Sequence, residues 1–299
     1  MTALFRSPYM WLALTTLIWG GNAVAGKFAV GHISPMVLTL MRWGIALAII
    51  GFIAKDRVRE DWPTIKANWF YLLAMGGIGY TLFNFALYSA LQTISAINVT
   101  LYQSAMPVVI FVVNLILYRI GIRWLQVVGY LLTLVGVAVT VTGGDPMALF
   151  SGEGAGWAAG DLFMLIAALA YGGYSAVLRS KPKMHWQSFL TALVAAALLF
   201  AMVGAAIEHS QGAALWPVTL QGWLVAFYAG IFPSLVSQGL FIKGVEALGA
   251  NLAGLFINMV PVWGAILSVL LLGEGLYLYH AVAFALVVTG ITIAQRKAA

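Results

Sequence analysis

Charge is what this chain has least of: Asp, Glu, Lys and Arg make up 8% of its 299 residues, and hydrophobic residues make up 63%. A soluble domain carries roughly 25% charged residues. So much apolar surface cannot be hidden in one water-soluble core, which means that the solvent is lipid. The chain also lacks the alternating pattern of about ten residues per strand that a membrane barrel needs. Its spans must therefore be helices, which satisfy their own backbone hydrogen bonds.

Cysteine is absent, which excludes disulfides, thiolate metal sites and cysteine nucleophiles. The sequence has no glycine-rich phosphate loop ending in Lys and Ser/Thr, and no paired carboxylates or nucleophile–base set. Its four histidines have no metal-ligand spacing and fall near predicted span ends: His32, His185, His209 and His280. We therefore predict a protein that is not an enzyme and that uses no metal or cofactor.

Ten apolar stretches of roughly the 20 residues that a bilayer requires are visible in the sequence. They cover about residues 9–30, 34–54, 68–91, 95–118, 123–142, 157–179, 186–207, 219–243, 249–272 and 277–295. The breaks near 93 and 247 are short and predict helical hairpins. The predicted fold class is an all-α integral membrane protein with ten transmembrane helices.

The sequence repeats itself once. Trp19-Gly20-Gly21-Asn22 returns as Tyr171-Gly172-Gly173-Tyr174, and the segment around Pro107 returns around Pro261, at shifts of 152 and 154 residues. Five spans per repeat is an odd number, so the second copy enters the membrane from the opposite face. Inverted repeats of this kind are typical of secondary transporters, whose substrate sites lie between the repeats. We predict a first five-helix repeat over 1–145, a linker over 146–155 and a second repeat over 156–299, around a central cavity.

Basic residues fall on one side of the predicted spans, which sets the orientation. If the N-terminus is cytoplasmic, 13 of the 15 Lys and Arg lie in cytoplasmic segments: Arg6, Lys55, Arg57, Arg59, Lys66, Arg119, Arg123, Arg179, Lys181, Lys183, Lys243, Arg296 and Lys297. The positive-inside rule then predicts that both termini lie in the cytoplasm. These charges form no single basic patch, so we predict no nucleic-acid binding.

Several landmarks occur in an order that points to a known family. They are Trp19-Gly20-Gly21, Pro35 with Arg42, Ala96 with Pro107, Gly136, Ala250 with Pro261, Gly273-Glu274 and Gly290. Over essentially its whole length the chain resembles the EamA-type branch of the drug/metabolite transporter superfamily, and within it the bacterial exporters of aromatic amino acids. One departure is Arg119-Ile120-Gly121, where the family often has Gly-Glu. The resemblance implies two antiparallel five-helix halves, with helices one, three, four, six, eight and nine around the cavity.

Polar and aromatic side chains within the spans are the candidate substrate residues, because polar groups are costly in lipid and tend to face a cavity. Hydrogen bonding between helices is the alternative role for each of them. A pocket of aromatic faces and a few amides suits a solute with an apolar body and a polar head, such as an aromatic or large neutral amino acid. The candidates are Trp19, Asn22, Tyr80, Asn84, Tyr88, Tyr102, Gln103, Tyr171, Tyr174, Ser237, Gln238 and Asn258.

Proline and glycine within the spans are the candidate gating residues. Pro107 and Pro261 should kink the fourth and ninth helices, either statically or as part of gating. Four matched glycines allow close helix packing or a rocking motion: Gly20, Gly21, Gly172 and Gly173. For Arg42 two roles stay open: pairing with a helix C-terminus or a neighbouring acid, which we favour, or contact with a substrate carboxylate.

The inverted repeat and the aromatic and amide residues predict a secondary transporter of aromatic and hydrophobic amino acids and related metabolites that works by alternating access, and the family resemblance implies that it exports them. No Asp or Glu falls in the middle of a span, which weakens the case for proton antiport and leaves passive uniport open. Alternatives are cationic, nucleoside or sugar cargo on the same fold, proton-coupled antiport, or a non-transporting membrane protein. Both repeats lie on one chain, which predicts a monomer in the lipid bilayer.

Overall fold

The computed structural model describes residues 7–119, 123–145, 158–248 and 256–295. Its described part is built from helices, and each of the ten predicted stretches contains helix. Seven of the described helical segments are long and apolar enough to cross a membrane: Pro35–Ile53, Trp69–Ala90, Ala96–Tyr118, Trp124–Val141, Ala159–Ser180, Trp186–Ser210 and Leu220–Val245. The predicted linker 146–155 lies outside the described residues, as do Ala250, both chain ends and part of the ninth stretch.

The helices of the first half are α1 Pro8–Phe28, α2 Pro35–Ile53, α3 Lys55–Glu60, α4 Trp62–Ala67, α5 Trp69–Gly76, α6 Phe83–Ala90, α7 Ala96–Gln103, α8 Met106–Tyr118 and α9 Trp124–Val141. Those of the second half are α10 Ala159–Val177, α11 Trp186–Ser210, α12 Leu220–Ile231, α13 Ser237–Leu248, α14 Val260–Leu267 and α15 Leu278–Gln295. A π-helical turn, Gly77–Leu82, joins α5 to α6, and a matching one, Phe232–Val236, joins α12 to α13. A third, Ser268–Leu272, follows α14.

At Pro107 and Pro261 a turn interrupts the regular helix of the span, which is the local distortion expected of a proline; a role of this distortion in gating stays a prediction. α7 ends at Gln103 and α8 starts at Met106, while α14 starts at Val260 after a turn at 258–259. The proline ring clashes with the carbonyl four residues earlier, and for Pro107 that residue is Gln103. In both spans proline then occupies the first turn of the new helix, where its missing N–H costs nothing.

The helices alternate in direction, which gives the bundle a near end, where α1 begins, and a far end, where α1 ends. α10 begins at the far end, where its Asp161 accepts a hydrogen bond from Tyr102 of α7. It finishes at the near end, where the Val177 carbonyl accepts one from Tyr71. The repeat equivalents α1 and α10 therefore run in opposite directions.

Close helix crossings occur at matched positions in the two halves. A Cβ atom added to Gly20 of α1 would lie 2.8 Å from the Gly264 nitrogen of α14, and one added to Gly172 of α10 would lie 2.6 Å from Val109 of α8. In each case the first helix of one half crosses the other half just after the proline break. Gly21 instead faces the Tyr228 hydroxyl, whereas nothing lies within 4 Å of a Cβ at Gly173.

The last helix of each half, α9 and α15, packs against the other. A Cβ at Gly129 or Gly290 would collide with the partner helix backbone, and a Cβ at Gly136 would lie 2.8 Å from the Ala283 carbonyl oxygen. Thr133 and Thr140 donate their hydroxyls to carbonyls of their own helix. Most of this pair's close packing is with itself, which leaves the first four spans of each half to form the site.

Candidate functional site

Five aromatic rings from three spans form a continuous series through the middle of the bundle, which we call the aromatic ladder: Trp43, Tyr80, Tyr174, Tyr171 and Phe83. Ring centroids are 4.9 Å apart for Trp43–Tyr80, 5.5 Å for Tyr80–Tyr174, 5.5 Å for Tyr174–Tyr171 and 4.8 Å for Tyr171–Phe83. Two of the rings belong to the second half and three to the first. The ladder therefore crosses the boundary between the halves.

A local backbone feature lets the ladder form. Tyr80 lies in the π-helical turn Gly77–Leu82, which interrupts the regular pattern of the third span. Gly79 in this turn permits the close approach of Tyr174, because a Cβ there would overlap the Tyr174 ring. Such π-helical turns are frequent at functional sites, and here one brings Tyr80 between Trp43 and Tyr174.

Arg42 is a buried cation at one end of the ladder, with 5% of its surface exposed. Its Nη1 donates to the Asn22 Oδ1 at 3.1 Å and to the Tyr88 hydroxyl oxygen at 2.7 Å, and that hydroxyl donates to the same Asn22 oxygen at 3.0 Å. The guanidinium carbon lies 4.8 Å from the centre of the Trp43 ring. Within the described residues, the expected helix C-terminus or acid is not its partner; an amide, a phenol and an indole surround it instead.

Three buried polar atoms beside this cluster have no hydrogen-bond partner in the described structure: Arg42 Nε, Trp43 Nε1 and Asn84 Oδ1. The Asn84 amide is oriented by its other end, since Nδ2 donates to the Tyr80 carbonyl at 2.7 Å. Buried polar groups are nearly always paired, so each exception needs a cause. Three exceptions on neighbouring helices mark this as a place where polar ligand groups can bind.

The other predicted substrate residues separate in the structure. Trp19 packs on Phe241, with centroids 5.3 Å apart, and Tyr102 donates to the buried Asp161 carboxylate at 2.7 Å. The Ser237 hydroxyl bonds to the carbonyl four residues earlier in its own chain. Gln103, Gln238 and Asn258 are half-buried near the ends of helices. Thus Asn22, Tyr80, Asn84, Tyr88, Tyr171 and Tyr174 come together, and the remaining six lie outside the cluster.

Sequence reasoning did not select Trp43 and Phe83 as site residues. Trp43 is next to Arg42, and an aromatic beside an intramembrane cation was the available signal. No comparable signal distinguishes Phe83.

Two surface grooves of the described structure, between α2, α11 and α12 and between α5 and α11, are lined mainly by apolar side chains. None of the predicted substrate residues lines either groove; the clustered ones pack against each other.

At the far end, acidic side chains of the second half accept hydrogen bonds from helix N-termini of the first half. Glu274 accepts the backbone N–H groups of Ala96 at 2.8 Å and Ile97 at 3.1 Å, at the start of α7. Glu208, at the end of α11, accepts the Ser34 hydroxyl at 2.6 Å, just before α2. A carboxylate is favourable at a helix N-terminus because orphan N–H groups and the helix dipole point at it.

Related contacts between the two halves lie at the near end. Asp61 accepts the His185 backbone N–H at 2.9 Å, at the start of α11, and the nearby Ser188 side chain and this N–H lower the pKa of the Asp61 carboxyl. Tyr9 and Phe256 have ring centroids 6.3 Å apart. These two residues are the repeat equivalents of Asp161 and Tyr102, which form the buried polar contact at the far end.

The described helices, seven of them long and apolar enough to cross a bilayer, are those of a multi-pass membrane protein. The model of the EamA-like transporter family matches the chain twice, over residues 6–142 and 158–295. The chain therefore belongs to the EamA-like transporter family, whose members are transporters and not enzymes.

Relatives and a solved structure agree with this membership. The Bacillus subtilis protein named uncharacterized transporter YetK is 27% identical over 97% of this chain and 87% of its own length. An uncharacterized transporter from Archaeoglobus fulgidus is 25% identical over 96% of this chain and 98% of its own length. A solved crystal structure has a TM-score of 0.60 and 23% identity, and the match covers 96% of both chains; this likeness concerns the fold alone.

Proposed function

We propose that this transporter exports aromatic and hydrophobic amino acids and related small metabolites from the cytoplasm by alternating access between its two halves. The observation that supports the cargo is the aromatic ladder, which offers ring faces from both halves at the middle of the bundle. Aromatic rings attract one another in offset or tilted arrangements beyond their burial. A solute ring that enters between Tyr171 and Phe83 would replace a contact between the halves, and so couple binding to their relative motion.

The charge of the site argues against cationic cargo. Its buried ionisable group is Arg42, and within the described residues no acid pairs with it. A drug cation would have to approach this guanidinium in a medium of low dielectric constant, where like charges repel strongly. Nucleosides and sugars remain the second class of cargo, since amide and hydroxyl groups are present beside the rings.

Alternating access is supported by the contacts at the two ends. Matched pairs, Tyr102–Asp161 and Tyr9–Phe256, join the halves at the far and near ends, and breaking one pair at a time would open one end. In this proposal the near end faces the cytoplasm, because the described basic loops lie there. Uniport is the proposed mode, and the protein works as a monomer in the bacterial inner membrane.

Counterflow in proteoliposomes tests the proposal. Vesicles loaded with unlabelled phenylalanine and diluted into labelled phenylalanine, at equal pH and zero potential, should accumulate label transiently above protein-free vesicles. Tyr171→Leu should reduce exchange of phenylalanine more than exchange of leucine, because it removes a ladder ring. Tyr130→Leu is the matched control: its ring packs on Phe111, 4.7 Å away and outside the ladder, and both exchanges should persist. Phenylalanine uptake equal to that of empty vesicles would contradict the cargo assignment.

A further inference from the structure

We infer that Arg42, held by Asn22 and Tyr88, is the residue that selects cargo bearing a carboxylate, with Asn84 receiving the ammonium group of a zwitterion. The inference rests on the proposed function, because it assigns the head-group site of the same cargo whose ring would meet the aromatic ladder. It turns a general preference for aromatic solutes into a requirement for a particular functional group.

The geometry of the guanidinium leads to the carboxylate. Both of its hydrogen bonds to protein use Nη1, and Nε is buried without a partner. Nε and Nη2 form the side edge of an arginine, whose two parallel N–H groups match the two oxygens of a carboxylate. Asn22 and Tyr88 therefore hold the group from one side and leave this edge for an anion.

Electrostatics explains why such an anion would bind well. A charge in the membrane interior is costly, and it normally pairs with an opposite charge or faces water. Arg42 is 5% exposed, and its neighbours are neutral: the Trp43 ring and the hydroxyls of tyrosines. A carboxylate that arrives with the solute would neutralise the cation in a site of low dielectric constant, where the attraction is strongest.

The amide oxygen of Asn84 supplies the complementary group. It is a buried acceptor with no partner, on a side chain that is 2% exposed. Asn84 lies on α6 four residues before Tyr88, the Arg42 partner, and four residues after Tyr80, a ladder ring. Residues four apart in an α-helix are neighbours on one face, and Asn84 Nδ2 donates to the Tyr80 carbonyl, so this side chain lies near both the Arg42 partner and a ladder residue. An α-amino acid carries its carboxylate, its ammonium group and its ring-bearing side chain on one carbon, so the three groups lie close enough together to meet Arg42, Asn84 and a ladder ring.

An analogue series in the wild-type protein tests the inference without depending on how any variant folds. Proteoliposomes are loaded with phenylalanine, with 3-phenylpropionate, which lacks the ammonium group, or with phenethylamine, which lacks the carboxylate. Uptake of labelled phenylalanine should be about ten- to hundred-fold weaker with phenethylamine inside than with phenylalanine, the loss expected for a hydrogen-bonded charge. The loss with 3-phenylpropionate should be smaller. Equal exchange with phenethylamine would overturn the inference while leaving amino-acid export intact.

Variants of Arg42 then test whether this residue causes the preference for phenylalanine over phenethylamine. Arg42→Gln should raise the KM for phenylalanine about ten- to hundred-fold and leave that for phenethylamine almost unchanged, so that the preference collapses; Arg42→Lys should restore part of it. A purely structural role would lower both exchanges together. Arg179→Gln is the matched control, because Arg179 is an exposed arginine that lies over a ring, Tyr118, outside the ladder.

Direct binding separates failure of this inference from failure of the proposed function. In detergent, 3-phenylpropionate should raise the unfolding temperature of the wild-type protein and not that of Arg42→Gln, whether or not phenylalanine is exported. If phenylalanine is not exchanged but this stabilisation is seen, the proposed cargo is wrong and the anion site stands. If neither 3-phenylpropionate nor phenylalanine stabilises the wild-type protein through Arg42, the anion site is wrong.

Discussion

Removing the negative charge of Glu274 should open the far end of the transporter. The Glu274 side chain comes from the second half and accepts two backbone N–H groups, at 2.8 and 3.1 Å, from the start of α7 in the first half. Glu274→Gln keeps one neutral acceptor oxygen. It therefore loses one charge-assisted hydrogen bond, weakens the other and removes the favourable charge at a helix N-terminus.

The size of the effect follows from these two bonds. A hydrogen bond to a charged group contributes about 1.5–3 kcal/mol when buried. Glu274 is half-buried and part of the loss is recovered by the glutamine oxygen, so we expect about 1–2 kcal/mol less stabilisation of the far-end contact. The open population should then rise about five- to thirty-fold.

Labelling of a single cysteine measures that population cleanly, because the chain has no cysteine of its own. Ser104→Cys places a thiol at the break between α7 and α8, where the serine hydroxyl is buried and without a partner. A membrane-impermeant maleimide should label it about five- to thirty-fold faster in right-side-out vesicles of the Glu274→Gln protein, with no gain in inside-out vesicles. Glu60→Gln, at the exposed Arg57 ion pair, should leave both rates unchanged. Unchanged labelling together with a lower unfolding temperature would refute the gating role and assign Glu274 to the fold.

Three further outcomes follow from the packing. Gly20→Ala should destabilise the protein in thermal unfolding by about 1–3 kcal/mol, because its Cβ would press on the backbone of α14. The control Gly173→Ala should be neutral or slightly stabilising, because its Cβ meets open space. Equal losses of stability in the two variants would contradict the close crossing of α1 and α14. Pro261→Ala should slow counterflow clearly while it leaves the unfolding temperature nearly unchanged. A lower unfolding temperature with unchanged counterflow would show that this proline has only a structural role. Asp61→Asn should lower the unfolding temperature at pH 7. This difference should disappear as pH falls through the lowered Asp61 pKa, because protonation of the wild-type carboxyl removes the same charge. A difference that persists at low pH would contradict a stabilising contact between the Asp61 carboxylate and the start of α11.

The prolines and glycines illustrate how far local sequence reasoning reaches. Pro107 and Pro261 were identifiable as interruptions, since the loss of an N–H and the ring clash are properties of the residue itself. The size of the distortion depends on what packs around the turn, and the structure shows a turn that interrupts each span. Gly20 and Gly172 were paired by the repeat, but their partners lie on helices distant in sequence.

Trp19 and Tyr171 show a second limit. Their matched positions in the repeat predict a shared pocket, yet Trp19 packs on Phe241 and Tyr171 on Phe83. An inverted repeat carries equivalent residues to separate places, and each then meets the opposite half. Asp161, near the start of α10, is buried at 3% exposure against Tyr102. A span that is apolar on every side does not reveal which side faces the centre.

The sequence by itself determined the class of the protein. Scarce charge excludes a soluble core, the stretches of about 20 apolar residues require helices, and the repeated landmarks divide the chain into two similar halves. These are properties of composition and spacing, and folding does not alter them. Only the tertiary structure decided that Arg42 meets Asn22 and Tyr88 instead of an acid, and that Trp43 and Phe83 complete the ladder. Those contacts depend on how each helix is rotated about its axis and where it crosses the others, and both are fixed by close packing across the bundle.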